Sequence, residues 1–210
     1  MGVVLMASVN KRNHYLGFVE GIMTCLVVMI HCRFPGKTGE MLAVLFHVAV
    51  PFFFSVSGYF YYNPDPHISL SRTKEKIFHL IPMLICAELF YYMWYVILYI
   101  RKNGVSINAL LAVIKNEAAA YELSNLLIPA PLMVSVCWFV VQLIIVYMIA
   151  HWIIRRQYIC ITYILVPVFV LLGAVISTVS YHMSGFYPAF NITRFPLFMG
   201  FPYFWGGVLY

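Results

Sequence analysis

The chain has 210 residues, of which 63% are hydrophobic and only 10% charged, and its mean hydropathy is +0.89. So little polar surface cannot clothe a water-soluble globule, so the composition excludes that class and indicates a polytopic membrane protein. The formal net charge of +6 is spread over loops, and no basic run has the length or aromatic interleaving of a nucleic-acid groove, so nucleic acid is excluded as a partner and membrane lipid is expected.

A membrane-crossing helix needs about 20 predominantly apolar residues. The stretch 1–10 is too short for a cleavable signal and runs into Lys11-Arg12, where a small-residue cleavage site is required. The first span is 15–32, and it holds Glu20 and His31. Eleven residues of helix turn through about 1100° and rise about 16 Å, so the two share a face at different depths. A second span, 41–62, contains the string Val50-Pro51-Phe52-Phe53-Phe54-Ser55-Val56-Ser57-Gly58-Tyr59. Its Ser57-Gly58 pair suits close helix packing, with direct contact to a bound donor as the alternative. Arg72, Lys74 and Lys76 follow, either as topology signals or as a cradle for phosphates.

The third span, 77–100, carries Glu88 as its single acid. The polar stretch 103–131 has Ile107, Leu110, Leu111, Ile114, Ala118 and Tyr121 at helical spacing, which predicts an amphipathic surface helix. Spans four and five are 132–154 and 158–181, separated by Arg155-Arg156, and a sixth begins near 195, just after Asn191 and Arg194. That sixth span is still running at Tyr210, so the chain is expected to be the N-terminal part of a longer protein. Pro51, Pro82 and Pro167 interrupt the second, third and fifth spans, which predicts kinked and packed helices. A cytoplasmic N-terminus puts Lys11, Arg12, Arg72, Lys74, Lys76, Arg155 and Arg156 inside against Arg33, Lys37, Arg101, Lys102, Lys115 and Arg194 outside. The tight clusters Arg72/Lys74/Lys76 and Arg155-Arg156 decide for that orientation.

The ionisable residues inside the spans are the candidates for chemistry. A carboxylate in a membrane helix is costly, and Glu20 is kept either as a structural partner or for a pathway. His31, near the end of its span, is either a hydrogen-bonded interfacial histidine or a group that titrates near neutrality and exchanges a proton with a bound hydroxyl. The five cysteines form no close pair and read as small buried hydrophobes. No metal-ligand spacing, phosphate-binding glycine loop or nucleophile elbow appears, so no metal and no tightly bound cofactor is expected.

The run from Arg12-Asn13 to His31-Cys32, followed by Val50 to Tyr59, resembles the start of the acyltransferase-3 family of integral membrane proteins. Cys137-Trp138-Phe139, Phe195-Pro196-Leu197-Phe198 and Gly200-Phe201-Pro202-Tyr203-Phe204 resemble later stations of the same pattern, in the same order. The resemblance implies an all-α polytopic transmembrane bundle in one domain over 1–210, with about six of roughly ten spans present. It also implies transfer of an acyl group, commonly acetyl, from acyl-CoA as co-substrate to a hydroxyl of a cell-surface carbohydrate or glycolipid, at a bacterial cell membrane. His31 falls on the histidine of the family's first-helix motif, which makes it a catalytic candidate. Glu20 stands where the family has Arg or Lys, Gly17 where it often has an acid, and Val136 where a histidine often precedes the Trp-Phe station. Glu20 is therefore expected to line the same passage in an altered role. Ser57, Arg72, Lys74 and Lys76 are the expected donor contacts, and Glu88, Trp138 and Arg194 the expected acceptor contacts. Two alternatives stay open: a carrier or sensor module of the same fold, and an inactive remnant.

Overall fold

The structure is a computed structural model that describes residues 14–32, 35–104, 111, 138–184 and 196–209. These residues form seven helices and no strand: α1 (His14–His31), α2 (Gly36–Phe46), α3 (Ala49–Tyr61), α4 (Pro66–Asn103), α5 (Trp138–Arg155), α6 (Ile159–Ser184) and α7 (Gly200–Leu209). Helix is the form that satisfies every backbone group within the segment, which a chain in hydrocarbon requires. Of the seven, α1, α4, α5 and α6 are long and apolar enough to cross a membrane. The protein is an all-α integral membrane protein.

Two compact units divide the chain, Met1–Phe53 and Phe54–Tyr210. In the first, α1 packs with α2, and none of α1's residues is buried. The second predicted span is not one helix, because a turn at His47-Val48 separates α2 from α3. Pro51 explains the break: it has no N–H to give the His47 carbonyl four residues earlier, and its ring crowds that carbonyl. The N–H of Val50 takes the His47 carbonyl instead, at 3.3 Å, and the helix restarts with Phe52 donating to Val48 at 3.2 Å.

In the second unit α7 lies in the core. Gly200, Phe201, Pro202, Phe204, Trp205 and Val208 of α7 are buried, and α7 packs against α5 and α6. Two glycines bring α7 against α3 backbone to backbone. A Cβ at Gly58 would overlap the Phe204 carbonyl, and one at Gly207 would overlap the Ser55 carbonyl. Gly200 in turn lies under the side chains of Val146 and Phe54. On α6, the Phe169 ring meets Phe198 and Phe201 at centroid distances of 6.3 and 5.4 Å. The buried face of α5, Gln142, Leu143, Val146, Tyr147, Ala150, Ile153 and Ile154, repeats at three- and four-residue steps and turns a single stripe inward.

Helix α4 begins with Asp65 as N-cap, its carboxylate accepting from the His67 N–H at 2.9 Å, followed by Pro66 in the first turn. Its 38 residues extend over about 57 Å against a hydrocarbon core of about 30 Å, so a long stretch stands outside the core. The helices run through Pro82 and Pro167 without a break, and both prolines are exposed. Two expectations are corrected here. The last helix starts at Gly200, after a turn at 196–199 in which the Phe201 N–H reaches the Pro196 carbonyl at 2.7 Å. Cys25, Cys32, Cys86 and Cys160 are exposed, because the helices that carry them turn apolar side chains outward. The amphipathic helix expected over 103–131 falls almost wholly outside the described residues.

The α3–α7 crossing gives a direct test. Gly207→Ala places a methyl group against the Ser55 backbone and is expected to cost at least 1–3 kcal/mol, roughly the range for overpacking. Gly206→Ala, whose Cβ meets nothing within 4 Å, is expected to leave stability unchanged or slightly raised. Thermal unfolding of the two variants in detergent, followed by circular dichroism, reads the difference.

Candidate functional site

The first unit carries the two motif positions. Glu20 and His31 lie on one uninterrupted helix, with Glu20 half-buried in its middle and His31 exposed as its last residue. Thr24 ties its hydroxyl to the Glu20 carbonyl at 2.8 Å, which leaves the Glu20 carboxylate outside that bond.

In the second unit, the junction between α3 and α4 is built around Arg72. Its Nη1 donates toward the carbonyls of Phe60, Tyr61 and Tyr62 at 3.0, 3.3 and 3.2 Å. Those are carbonyls at the C-terminal end of α3, which have no intrahelical N–H to accept, so a cation here also meets the negative end of the helix dipole. One residue on, the Thr73 hydroxyl and the Tyr61 hydroxyl share a buried hydrogen bond of 2.8 Å. Tyr147 of α5 hydrogen-bonds Ser57 of α3. The rings of Tyr61, Tyr147 and Phe204 close on one another at 5.3–5.5 Å. Polar contacts thus stitch α3 to α4 and α3 to α5 inside an aromatic core. Ser57, Arg72 and their neighbours Tyr61, Thr73 and Tyr147 form one continuous group.

Beside it, α4 and α5 frame a groove of about 450 Å³ lined by Thr73, Lys74, Ile77, Phe78 and Ile81 on one side and Met148 and His151 on the other. Lys74 and Arg155 are the charges that act on the His151 imidazole. The basic cluster that opens α4 and the one that closes α5, about eighty residues apart in sequence, therefore meet at one end of the helix pair. Lys76 and Arg156 are exposed. His151 was not singled out from sequence, although an ionisable residue one turn before Arg155-Arg156 in an otherwise apolar span is the signal that marks it.

The remaining candidates are spread out. Glu88 is half-buried midway along α4. Trp138 opens α5, edge-on to Phe139 at 6.5 Å, and Phe139 tilts onto Phe54 at 4.7 Å. Arg194 lies outside the described residues. Among the described residues no three His, Cys, Asp or Glu side chains gather as metal ligands would.

A family model described as an acyltransferase domain matches residues 13–210. No curated protein and no solved structure matches the chain.

The cap at Arg72 separates structure from ligand binding. Arg72→Gln strips the last turn of α3 of its cation and is expected to cost about 1–3 kcal/mol, the range for a hydrogen bond to a charged group. Lys76→Gln, on an exposed side chain, is expected to cost under about 0.5 kcal/mol. Unfolding midpoints in detergent compare the two.

Proposed function

This chain belongs to the acyltransferase-3 family, whose domain covers residues 13–210, and from that premise we propose that it moves an acyl group, acetyl in the simplest case, from acyl-CoA to a hydroxyl of a cell-surface carbohydrate or glycolipid. The observation that carries the reading is the match of the acyltransferase domain across nearly the whole chain, and the sequence resemblance points to His31 as the histidine of the first-helix motif. Composition supports a membrane setting, and the meeting of the two basic clusters at one end of α4 and α5 supports a cytoplasmic face there, where positively charged loops are retained.

In this reading His31 is the general base. Its unprotonated ring nitrogen takes the proton from the acceptor hydroxyl as the oxygen attacks the thioester carbonyl, and the carbon–sulfur bond breaks to release CoA as the thiolate, which is then protonated. An imidazole suits that task because its ordinary pKa lies near neutrality. Glu20 lies about 16 Å along the same helix face, and a carboxylate there repels an anionic donor, so we assign it to the passage between the two substrates and not to CoA. The donor's phosphates fall to the basic end of α4, with Lys74 and Lys76 as the cations and Ser57 at the neighbouring helix. Arg72 contributes by holding the end of α3 in place. Glu88, Trp138 and Arg194 are assigned to the acceptor.

His31→Ala in the full-length protein, reconstituted in liposomes with labelled acetyl-CoA and a membrane acceptor fraction, is expected to lower the rate of transfer by about 10²–10⁴, the usual weight of a general base. Unchanged transfer removes His31 from the mechanism. The Lys74→Gln/Lys76→Gln pair, which leaves the Arg72 cap intact, is expected to raise the KM for acyl-CoA by roughly tenfold or more with kcat nearly unchanged, as the loss of charge-assisted contacts implies.

A further inference from the structure

The groove between α4 and α5 adds to Lys74, which the proposed reading also gives to the donor, an apolar wall that acyl transfer does not use. We infer that it is a binding site for an anionic phospholipid, with the headgroup phosphate held by Lys74, His151 and Arg155 and one acyl chain lying along Ile77, Phe78, Ile81 and Met148.

Three features point to that occupant. The first is the order of the lining: Lys74 sits at one end, with Arg155 acting on the His151 ring nearby, and the side chains that follow Lys74 along α4 are apolar. A phosphate joined to a hydrocarbon chain has the same order. The second is depth. Lys74 stands just ahead of the apolar run that begins at Ile77, and His151 one turn before Arg155, so the cations lie where an apolar span meets its flanking charges, the level of lipid phosphates. The third is the direction in which the groove opens. Phe78 is 75% exposed and Met148 50% exposed, on helices long enough to cross a membrane, so the walls face the surroundings of the bundle and not its core. A lateral opening of that kind admits a molecule already in the bilayer.

His151 supplies the sharpest point of the argument. Its Nδ1 is shielded from solvent and has no hydrogen-bond partner among the described residues, while Lys74 and Arg155 act on the ring from nearby. A phosphate beside the ring offsets the positive charge of Lys74 and Arg155 that acts on it, and each cation near the surface strengthens attraction to an anionic lipid by about 1 kcal/mol, roughly fivefold in affinity.

The test uses the purified full chain in a neutral detergent, titrated with phosphatidylglycerol or phosphatidylcholine and examined by native mass spectrometry. Saturable retention of phosphatidylglycerol, at least about fivefold above phosphatidylcholine, is expected for the wild type. Lys74→Gln is expected to lower that retention about fivefold, and Met148→Trp, which fills the chain groove from an exposed position, to abolish it. Circular dichroism confirms that both variants keep their helices, and Lys74→Gln, on an exposed side chain, keeps the proposal testable if Met148→Trp does not fold. Equal retention of the two lipids, or wild-type retention in a folded variant, overturns the inference.

Discussion

Two glycines determine how the second unit is assembled. Because Gly58 and Gly207 carry no Cβ, α3 and α7 touch through their backbones, each glycine against a carbonyl of the other helix. In a membrane there is no hydrophobic drive to push helices together, so small residues and tight packing supply the association. The consequence reaches beyond the pair. Once α7 is seated, Gly200 receives Val146 of α5, and Phe201 receives Phe169 of α6. Helix α5 then runs beside α4 with His151 across from Lys74. Helix α7 thereby helps set where the cations of α4 and α5 meet.

Satisfaction of backbone carbonyls is the second constraint, and it gives some polar residues a structural task. Arg72 is a natural candidate for phosphate binding by its charge alone. Its guanidinium instead points toward three carbonyls at the end of α3, groups whose burial without a partner costs on the order of 1–3 kcal/mol each. Ser57 is likewise engaged, with Tyr147. Lys74 and Lys76 at the start of α4 are exposed, and the account of donor binding rests on them. The same constraint shapes the break at Pro51, where the His47 carbonyl turns to Val50.

Much of this was legible in the sequence, because apolar length and flanking charge are strong signals in a membrane chain. The first span, the third and the two that follow it correspond to α1, α4, α5 and α6, with the described boundaries shifted by a few residues at most except at the start of α4; 132–137, where the fourth span is expected to begin, lie outside the described residues. Helix α4 extends further because Asp65-Pro66 supplies a cap well ahead of the apolar run. The break before Pro51 was less legible: proline marked an interruption, but the same mark at Pro82 and Pro167 produced none. Those two sit on exposed faces of helices that continue past them. Pairings between distant residues, Ser57 with Tyr147 and Lys74 with His151, depend on helix rotation, which no periodicity in a uniformly apolar span fixes. The catalytic candidates were legible only through motif spacing on one helix, as Glu20 and His31 were.

The claim that ties fold to function is that the basic clusters at the start of α4 and the end of α5 lie together on the cytoplasmic face. Single cysteines at Lys76→Cys and Arg156→Cys, in a variant whose five native cysteines are replaced, can be probed with a membrane-impermeant maleimide in intact and permeabilised cells. The account predicts that both are protected in intact cells and both react after permeabilisation. Labelling of the two from opposite sides would contradict the packing of α4 on α5, and labelling of both in intact cells would place the basic end away from acyl-CoA.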